Sequence, residues 1–268
     1  MKIQTTTAFV ATLLCGSASA VSYTPFYYQM IEYQSGNSTI IFGKDPAVYI
    51  SASASNQASV VGTIGYSFLI SGGPANSFVP IDFMGNFSLL HQGNQPGGNR
   101  WSQARFAIAA SDYVDLGNGM VRGAGLLLTA SCNQQAGGGC GSTQGMLPGS
   151  NYVQTGESFI TTTYYGIGAA SLSGLFSGVL YAPTDSLGQA RGSVNLLAAA
   201  GSYTTQASTT FLDPHFEINA AWLANNPGAA FTLPAGVGNE VVPVPEPATW
   251  LLALGGLAFL ATRRIAST

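Results

Sequence analysis

A period-two alternation of apolar and polar residues is the feature that most constrains this chain. Between positions 48 and 55, apolar residues at 48, 50, 52 and 54 alternate with Tyr49 and three serines. The stretch from Tyr66 to Ser71 repeats the pattern. Successive side chains of a strand point to opposite faces, so this alternation predicts strands with one face in a core. No stretch before residue 215 shows apolar residues at helical spacing over the length of a helix.

Short β-like runs and turn-forming clusters continue along the chain. The runs are Tyr23–Tyr33, Thr39–Phe42, Phe78–Phe83, Arg105–Ala110, Gly125–Cys132, Phe159–Tyr165, Phe176–Tyr181 and Gly192–Leu197. Clusters rich in Gly, Asn, Pro and Ser separate them at Ser35–Ser38, Gly72–Asn76, Gln95–Asn99 and Gly117–Gly119. Many short alternating strands of this kind predict an all-β fold, an antiparallel β-sandwich or jelly roll in a single domain over residues 21–235. One or two helical turns are expected at Asn219–Ala224, with Asn219 as the N-cap.

Charge is scarce in this chain. Charged residues make up 7% of the 268 residues, against roughly 25% in ordinary soluble proteins. Between Val21 and Val242 the sequence holds five basic and ten acidic residues, a net charge of −5. Without a basic cluster the chain lacks the charge that neutralises phosphates, so nucleic acid is not an expected partner. Ser, Thr, Asn and Gln supply the polarity instead, which suits hydrated polysaccharide and equally any secreted β-protein.

The N-terminus has the layout of a secretory signal peptide over residues 1–20. Lys2 provides the positive start, Ala8–Cys15 the apolar stretch, and Ala18, Ser19 and Ala20 the small residues before a cleavage site. This pattern predicts cleavage between Ala20 and Val21, and therefore export.

The C-terminal 25 residues combine a short motif, an apolar stretch and two positive charges. Val244, Pro245 and Glu246 precede 16 uncharged residues, Pro247–Thr262. As a helix those residues would extend about 24 Å at ~1.5 Å per residue, against a hydrocarbon core of ~30 Å. Arginine stems that reach the headgroups and local thinning of the bilayer can bridge that difference. By the positive-inside rule the body would lie outside the cytoplasm. On composition alone, an ordinary terminal anchor helix or a core helix that ends in arginines explains the apolar stretch better than a sorting signal does.

This ending resembles the PEP-CTERM sorting domain of exported Gram-negative proteins that are handled by exosortases. The resemblance covers about residues 243–266 and implies that Pro245, Glu246 and Pro247 are recognised by a membrane-embedded, transpeptidase-like processing enzyme. The resemblance also implies that Arg263 and Arg264 act as the positively charged stop at the end of the membrane-spanning segment. It also implies a transient inner-membrane tether, an association with exopolysaccharide or biofilm, and a final location at the cell surface or in the extracellular matrix. Residues 236–243 would then be a short linker, and residues 244–268 the sorting segment.

Two cysteines remain after signal-peptide removal, Cys132 and Cys140, separated by seven residues. An even number of cysteines in an exported chain favours a disulfide. Such a bridge would close a glycine-rich loop. A catalytic or metal-binding cysteine pair is the alternative.

Candidate catalytic groups are few. In an extended segment Asp213, His215 and Glu217 would share one face, where they could hold a divalent metal or share acid–base work. Leu212, Phe216 and Ile218 alternate with them, so a solvated face on an edge strand predicts the same pattern, and Pro214 also fits an edge. His91 is expected at the surface. Acidic residues that could cleave a glycoside as a pair are present, but the sequence does not pair them.

The segment Asp112–Gly119 has oxygen ligands and glycines that could form a calcium loop. It lacks the ligand spacing of the twelve-residue calcium-binding loop, so a hairpin with an Asn-Gly turn is the better prediction.

Together these features predict an exported surface or matrix protein that needs no cofactor and is not an enzyme. It would hold exopolysaccharide or neighbouring proteins through aromatic faces and hydroxyl or amide groups. A secreted polysaccharide-acting hydrolase or lyase that uses Asp213, His215 or Glu217 is one alternative. A self-assembling structural protein is the other, because low charge and β-rich edges favour association.

Overall fold

The computed structural model describes residues 23–91, 100–115, 121–133, 139–145, 156–164 and 171–239. The described residues form eleven strands and one short helix. The strands are β1 (Tyr27–Phe42), β2 (Ile50–Ser71), β3 (Phe78–His91), β4 (Arg100–Asp115), β5 (Val121–Asn133), β6 (Cys140–Gly145), β7 (Gly156–Tyr164), β8 (Ser171–Pro183), β9 (Ala190–Ser202), β10 (Ser208–Ile218) and β11 (Ala230–Thr232). The helix α1 covers Ala220–Asn225 and lies between β10 and β11.

All eleven strands belong to one hydrogen-bonded antiparallel sheet. Its order is β6-β5-β4-β9-β2-β10-β3-β8-β7, with β1 and β11 also paired to β2. The 22-residue strand β2 connects the whole arrangement. The all-β, antiparallel class predicted from the alternation is therefore confirmed.

Strand β2 bends at Asn56 and Gln57, and this bend lets the sheet fold into two facing layers. Both residues have positive φ, at 60° and 61°. Residues 50–54 pair with β10, whereas residues 58–70 pair with β9. One strand thus belongs to two layers, β10-β3-β8 and β9-β4-β5. Strands that change layers at a bend form the corners of such packings. The expected sandwich differs in this respect: the two facing layers are parts of one continuous sheet.

Aromatic side chains from both layers meet in the core. Phe106 of β4 lies with its ring centroid 5.7 Å from that of Phe83 in β3 and 5.1 Å from that of Phe176 in β8. Phe216 of β10 packs similarly on Tyr66 and Phe68 of β2, at 5.8 and 6.1 Å. All six of these aromatic side chains are buried. Every one except Phe176 is among the largest fully buried side chains described. Burial of such rings is the main stabilising contribution to the packing of the two layers.

The observed strands are longer than the predicted runs. The cluster Ser35–Ser38 was expected to be a turn, but β1 continues through it with a register shift between Ser35 and Asn37. Gly36, at φ 55°, accommodates that irregularity. In contrast, Gly72–Asn76 does form the predicted connection, between β2 and β3. The predicted hairpin after Asp112 is supported by the antiparallel pairing of β4 with β5, although residues 116–120 lie outside the described part.

Helix α1 begins as the sequence predicts. The side chain of Asn219 accepts a hydrogen bond from the backbone N–H of Trp222 at 3.1 Å, which makes Asn219 the N-cap. The helix ends at Asn225, two residues before Pro227. Asn219 also donates from Nδ2 to Oδ2 of Asp82 at 2.8 Å, so the cap fixes the end of β10 to β3.

Candidate functional site

A column of large apolar side chains lies along the edge of the molecule, on β1 and on the residue just before it. Phe26, Tyr28, Met30 and Tyr33 are each 44–53% exposed. Tyr28, Met30 and Tyr33 pair across to residues of β2 that point away from the facing layer. We call this side of β1, β2, β9 and β4 the outer face. A contiguous exposed apolar surface of this kind marks a binding surface more often than a lone exposed side chain does.

Two aromatic rings lie flat on the outer face because glycines beneath them leave room. A Cβ at Gly65 would meet Tyr28 Cε1 at 2.3 Å, and a Cβ at Gly201 would meet Trp101 Nε1 at 2.1 Å. The ring of Phe26 continues that of Tyr28, with centroids 6.3 Å apart and planes within 15°. We call the rings of Phe26 and Tyr28 the aromatic plate. Both residues of the plate remain about half exposed to solvent.

Polar groups border the aromatic plate. Asn195 of β9, which pairs with Gly65, donates from Nδ2 to the Tyr28 hydroxyl at 3.4 Å. Ser193, two residues earlier on β9, is exposed on the same face. The outer face thus combines flat apolar rings with neutral hydrogen-bonding groups.

The segment Asp213–Glu217 is divided by burial, not gathered into one accessible site. Its three polar side chains do share one face of β10, with Leu212, Phe216 and Ile218 on the core face. Asp213, however, is fully buried, His215 is partly buried and Glu217 is exposed. The expected solvated face is therefore wrong at Asp213. No group of three or more His, Cys, Asp or Glu residues placed to hold a metal occurs within the described residues.

The expectation of an edge strand holds for only half of β10. Its first half, Ser208–Leu212, pairs with both β2 and β3, and only Asp213–Ile218 lacks β2 as a partner. Pro214 lies in that second half. Because β2 does not pair with β10 there, the missing N–H of Pro214 removes no hydrogen bond to β2.

Buried Asp213 influences a tyrosine in the core. The pKa of the Tyr66 hydroxyl is raised well above its ordinary value, first by burial, then by the negative charge of Asp213 and by Tyr27. Tyr66 therefore stays protonated and neutral, which suits a structural role in the core.

The surface position expected for His91 is wrong. His91 is buried at the end of β3, and its Nε2 lies 3.0 Å from the Ser102 hydroxyl in β4. This hydrogen bond joins the two layers. The residues beside His91 do not report this environment, because it depends on the pairing of β3 with β10 and on the facing strand β4.

Cys132 and Cys140 form a disulfide in the structure, with an Sγ–Sγ distance of 2.01 Å. They are directly opposite residues of β5 and β6, and both are buried. The bridge fixes the pairing of β6, the last strand at one end of the sheet.

The chain leading to the C-terminus is held against β10 by Asn239. Its side-chain Oδ1 accepts from the backbone N–H of Phe216 at 3.2 Å, and its Nδ2 donates to the Phe216 carbonyl. The Nδ1 of His215 contacts the Asn239 carbonyl oxygen. The amide of Asn239 thus takes the place of a paired strand where β10 has lost β2. We call these contacts the Asn239 clamp.

A second contact secures the preceding residue. The N–H of Gly238 donates to the Lys44 carbonyl at 2.7 Å, and a Cβ at Gly238 would meet the Pro46 carbonyl oxygen at 1.8 Å. Only glycine fits this approach. The first four residues of the expected 236–243 linker are therefore packed on the body.

Several residues with predicted roles lie outside the described part of the chain. They are Ala18, Ala20 and Val21 at the predicted signal cleavage, Pro245, Glu246 and Pro247 in the motif, and Arg263 and Arg264 at the stop. The described chain ends four residues before the region that the family comparison identifies. Residues 243–265 match the family model of the PEP-CTERM protein-sorting motif. The chain carries a PEP-CTERM sorting motif. No curated protein matches the chain.

The PEP-CTERM motif establishes how this protein is handled in the cell. It is an exported protein that is sorted by an exosortase-like system through a membrane-anchored intermediate. Its processing partner is an exosortase-like membrane enzyme. No helix in the described part is long and apolar enough to cross a membrane. The Asn239 clamp lies only four residues before the start of the PEP-CTERM match, so the folded body is tied closely to the sorting segment.

Sequence reasoning did not identify the aromatic plate or the Asn239 clamp. Phe26 and Tyr28 are two positions apart, which is a signal for one face, but the glycine that supports them lies about forty residues later. The clamp depends on the position at which β10 stops pairing with β2, and no local sequence pattern indicates that position.

Proposed function

We propose that the processed protein is a surface or extracellular-matrix protein that binds exopolysaccharide non-covalently on its outer face. The observation that supports this most is the aromatic plate over Gly65, with Asn195 and Ser193 beside it. Flat rings stack on the C–H faces of sugars, and the neighbouring amide and hydroxyl groups bind sugar hydroxyls. The PEP-CTERM motif places the protein outside the cytoplasm, where such polymers are found.

A second feature of the outer face supports a polymer as the ligand. The apolar column from Phe26 to Tyr33 is long enough to contact several consecutive sugar units, because its eight residues extend over roughly 23 Å at ~3.3 Å per residue. Sites that repeat along a surface suit a repeating ligand, since each weak contact raises the effective concentration for the next.

Binding rather than catalysis is the role we propose for the body. Of the three groups in the hydrolase or lyase alternative, Asp213 is fully buried and Glu217 is exposed, so they do not share one environment. If the alternative were true, replacing Asp213, His215 and Glu217 one at a time with alanine would abolish turnover of a polysaccharide. Our proposal expects no turnover by the wild-type protein, measured as release of reducing ends.

The direct test is co-sedimentation of the processed protein with exopolysaccharide purified from its own host, with cellulose as a neutral comparison polymer. We expect Tyr28→Ala to weaken binding roughly five- to tenfold, because loss of one stacked ring removes on the order of 1 kcal/mol. Phe26→Ala should act in the same direction.

Tyr203→Ala is the matched control, since Tyr203 is 64% exposed and lies beyond the end of β9. It should bind as wild type does. A wild-type protein that binds neither polymer would overturn the proposed function. Equal binding by the Tyr28→Ala variant would show that the aromatic plate is not the site.

A further inference from the structure

Strand β1 has one free edge. Its sixteen residues pair with β2 along one side, and no other described strand pairs with it. Every second residue of such a strand directs its N–H and C=O groups away from the sheet. A free edge of this length is a template for another strand, and natural proteins usually block it with charges, proline or short length.

Little in β1 blocks that pairing. The strand contains no proline, lysine or arginine, and Glu32 is its only charged residue. The Glu32 carboxylate accepts a hydrogen bond from the Thr63 hydroxyl of β2, so its charge is directed back onto the molecule. Two register shifts interrupt the edge, but they leave Tyr27–Ile31 and Asn37–Phe42 regular.

We propose that β1 is a homotypic interface, at which the β1 strands of two copies of this protein pair antiparallel along their free edges. An antiparallel pair of identical strands has a two-fold axis perpendicular to the sheet, so each copy presents the same residues to the other. With Glu32 as the only charge on each strand, the pairing creates no array of like charges.

The apolar residues of β1 favour a second copy over other occupants. The two-fold axis brings the apolar columns of both copies together on the same side of the joined sheet. Met30 and Tyr33, each about half exposed, then bury area against their counterparts. A polysaccharide could cover the rings but would not form a ladder with the backbone amides. A second peptide strand does both.

Cysteine cross-linking of the full chain in the host envelope tests the pairing. Single cysteines are introduced by Gln29→Cys, Ile31→Cys, Tyr33→Cys, Thr39→Cys and Ile41→Cys, with Tyr203→Cys as the exposed control outside β1. In a two-fold pair, a residue on the axis lies opposite the same residue of the other copy. A residue two positions from the axis is separated from its equivalent in the other copy by about four residues along the strand, roughly 13 Å. We expect a dimer band that peaks at one β1 position, at least tenfold above the control.

A charge variant gives an independent measurement. Met30→Lys places a positive charge at the interface and should reduce the peak cross-link of the best cysteine variant at least tenfold. Leu187→Lys, at a position 66% exposed outside β1, should leave it unchanged. Cross-linking equal to the control at every β1 position, or equal at all five, would overturn the proposal. So would a β1 cross-link to a different protein in place of a second copy.

Discussion

Glycines in the strands leave room for aromatic side chains to pack on the sheet. The effect of replacing such a glycine with alanine depends on which atoms the added methyl group would meet. At Gly65 a Cβ would meet the exposed ring of Tyr28, which can swing into solvent. At Gly85 it would meet Phe176 Cζ at 2.2 Å and the Asp213 carbonyl at 2.5 Å, both inside the fold. We therefore expect Gly65→Ala to change the free energy of unfolding by no more than about 0.5 kcal/mol. Gly85→Ala should lower it by about 1–3 kcal/mol.

Urea unfolding of the two variants measures that difference, and co-sedimentation with polysaccharide measures a second one. Because Gly65→Ala displaces the plate ring, it should weaken polysaccharide binding while leaving the fold intact. A Gly65→Ala variant that unfolds as easily as Gly85→Ala would contradict the assignment of Tyr28 to a movable surface position.

The buried hydroxyl of Tyr66 makes stability depend on alkaline pH. Its pKa is raised in the folded state, so folding favours the proton-bound form. The stabilisation is fully present below the ordinary tyrosine pKa of 10.0 and is lost as pH rises above it, because only the unfolded chain then ionises readily. We expect Tyr66→Phe to lose less stability than wild type between pH 9 and pH 11. Thermal unfolding across that range checks this, and parallel pH profiles for the two proteins would be evidence against it.

Residue environments were the part of the fold that the sequence predicted least well. The alternation predicted correctly that Leu212, Phe216 and Ile218 share a core face of β10. It could not show that Asp213, on the opposite face, is buried, since that depends on segments brought together from distant parts of the chain. His91 is the same case, because its partner Ser102 lies on the facing layer.

At the scale of elements, period-two patterns located most strands but not their lengths or continuity. The alternating runs at 48–55 and 66–71 fall in one strand, β2, from position 50 onward, because Asn56 and Gln57 bend it without ending it. Two successive residues with positive φ could end a strand, but the pairing of β2 with β10 before them and with β9 after them keeps it continuous. The short helix α1 was predictable because its N-cap is local.

The Asn239 clamp behaves as an extra element beside β10. Asn239→Ala removes both side-chain hydrogen bonds to the backbone of Phe216, so we expect unfolding free energy to fall by about 1–2 kcal/mol. The Phe216 amide should also exchange its hydrogen faster. Hydrogen exchange with mass spectrometry measures both the clamp and its surroundings.

The control for that experiment is Asn225→Ala, whose side chain hydrogen-bonds only within α1 in the structure, to the Ala221 carbonyl at 2.9 Å. It should leave the exchange of β10 unchanged. Unchanged exchange at Phe216 in the Asn239→Ala variant would show that the clamp does not hold the C-terminal segment.

The disulfide is expected to act on β5 and β6 alone. In the loop-entropy account, a bridge across so short a segment stabilises the folded state by about 2–3 kcal/mol. Replacing both cysteines, Cys132→Ser with Cys140→Ser, should lower the unfolding free energy by that amount and leave binding at the aromatic plate unchanged. Urea unfolding and co-sedimentation of the double variant check both statements, and a loss of binding would mean that β6 supports the outer face.

At the scale of the whole molecule, the two proposals act in the same direction. Pairing of β1 with a second β1 brings two aromatic plates onto one side of a joined sheet. A polysaccharide that touches both plates then dissociates more slowly than from one. If both proposals hold, Met30→Lys should weaken binding to long polymers more than to short oligosaccharides, which reach one plate only. Binding of wild type and Met30→Lys to oligomers of increasing length tests this coupling. An equal loss of binding at every length would show that pairing at β1 does not affect binding at the aromatic plate.

Release from the membrane determines where that coupling operates. We expect the intact mass of the protein from its host to lack Met1–Ala20 and to end near Pro245–Pro247, because the PEP-CTERM motif directs processing by an exosortase-like enzyme. Glu246→Ala should leave the tail in place and shift the protein to the membrane fraction, whereas Glu240→Ala, outside the matched residues, should not. Truncation at Pro245–Pro247 would leave six to eight residues beyond Asn239. A wild-type mass that retains Thr268 would instead keep both surfaces tethered to the membrane.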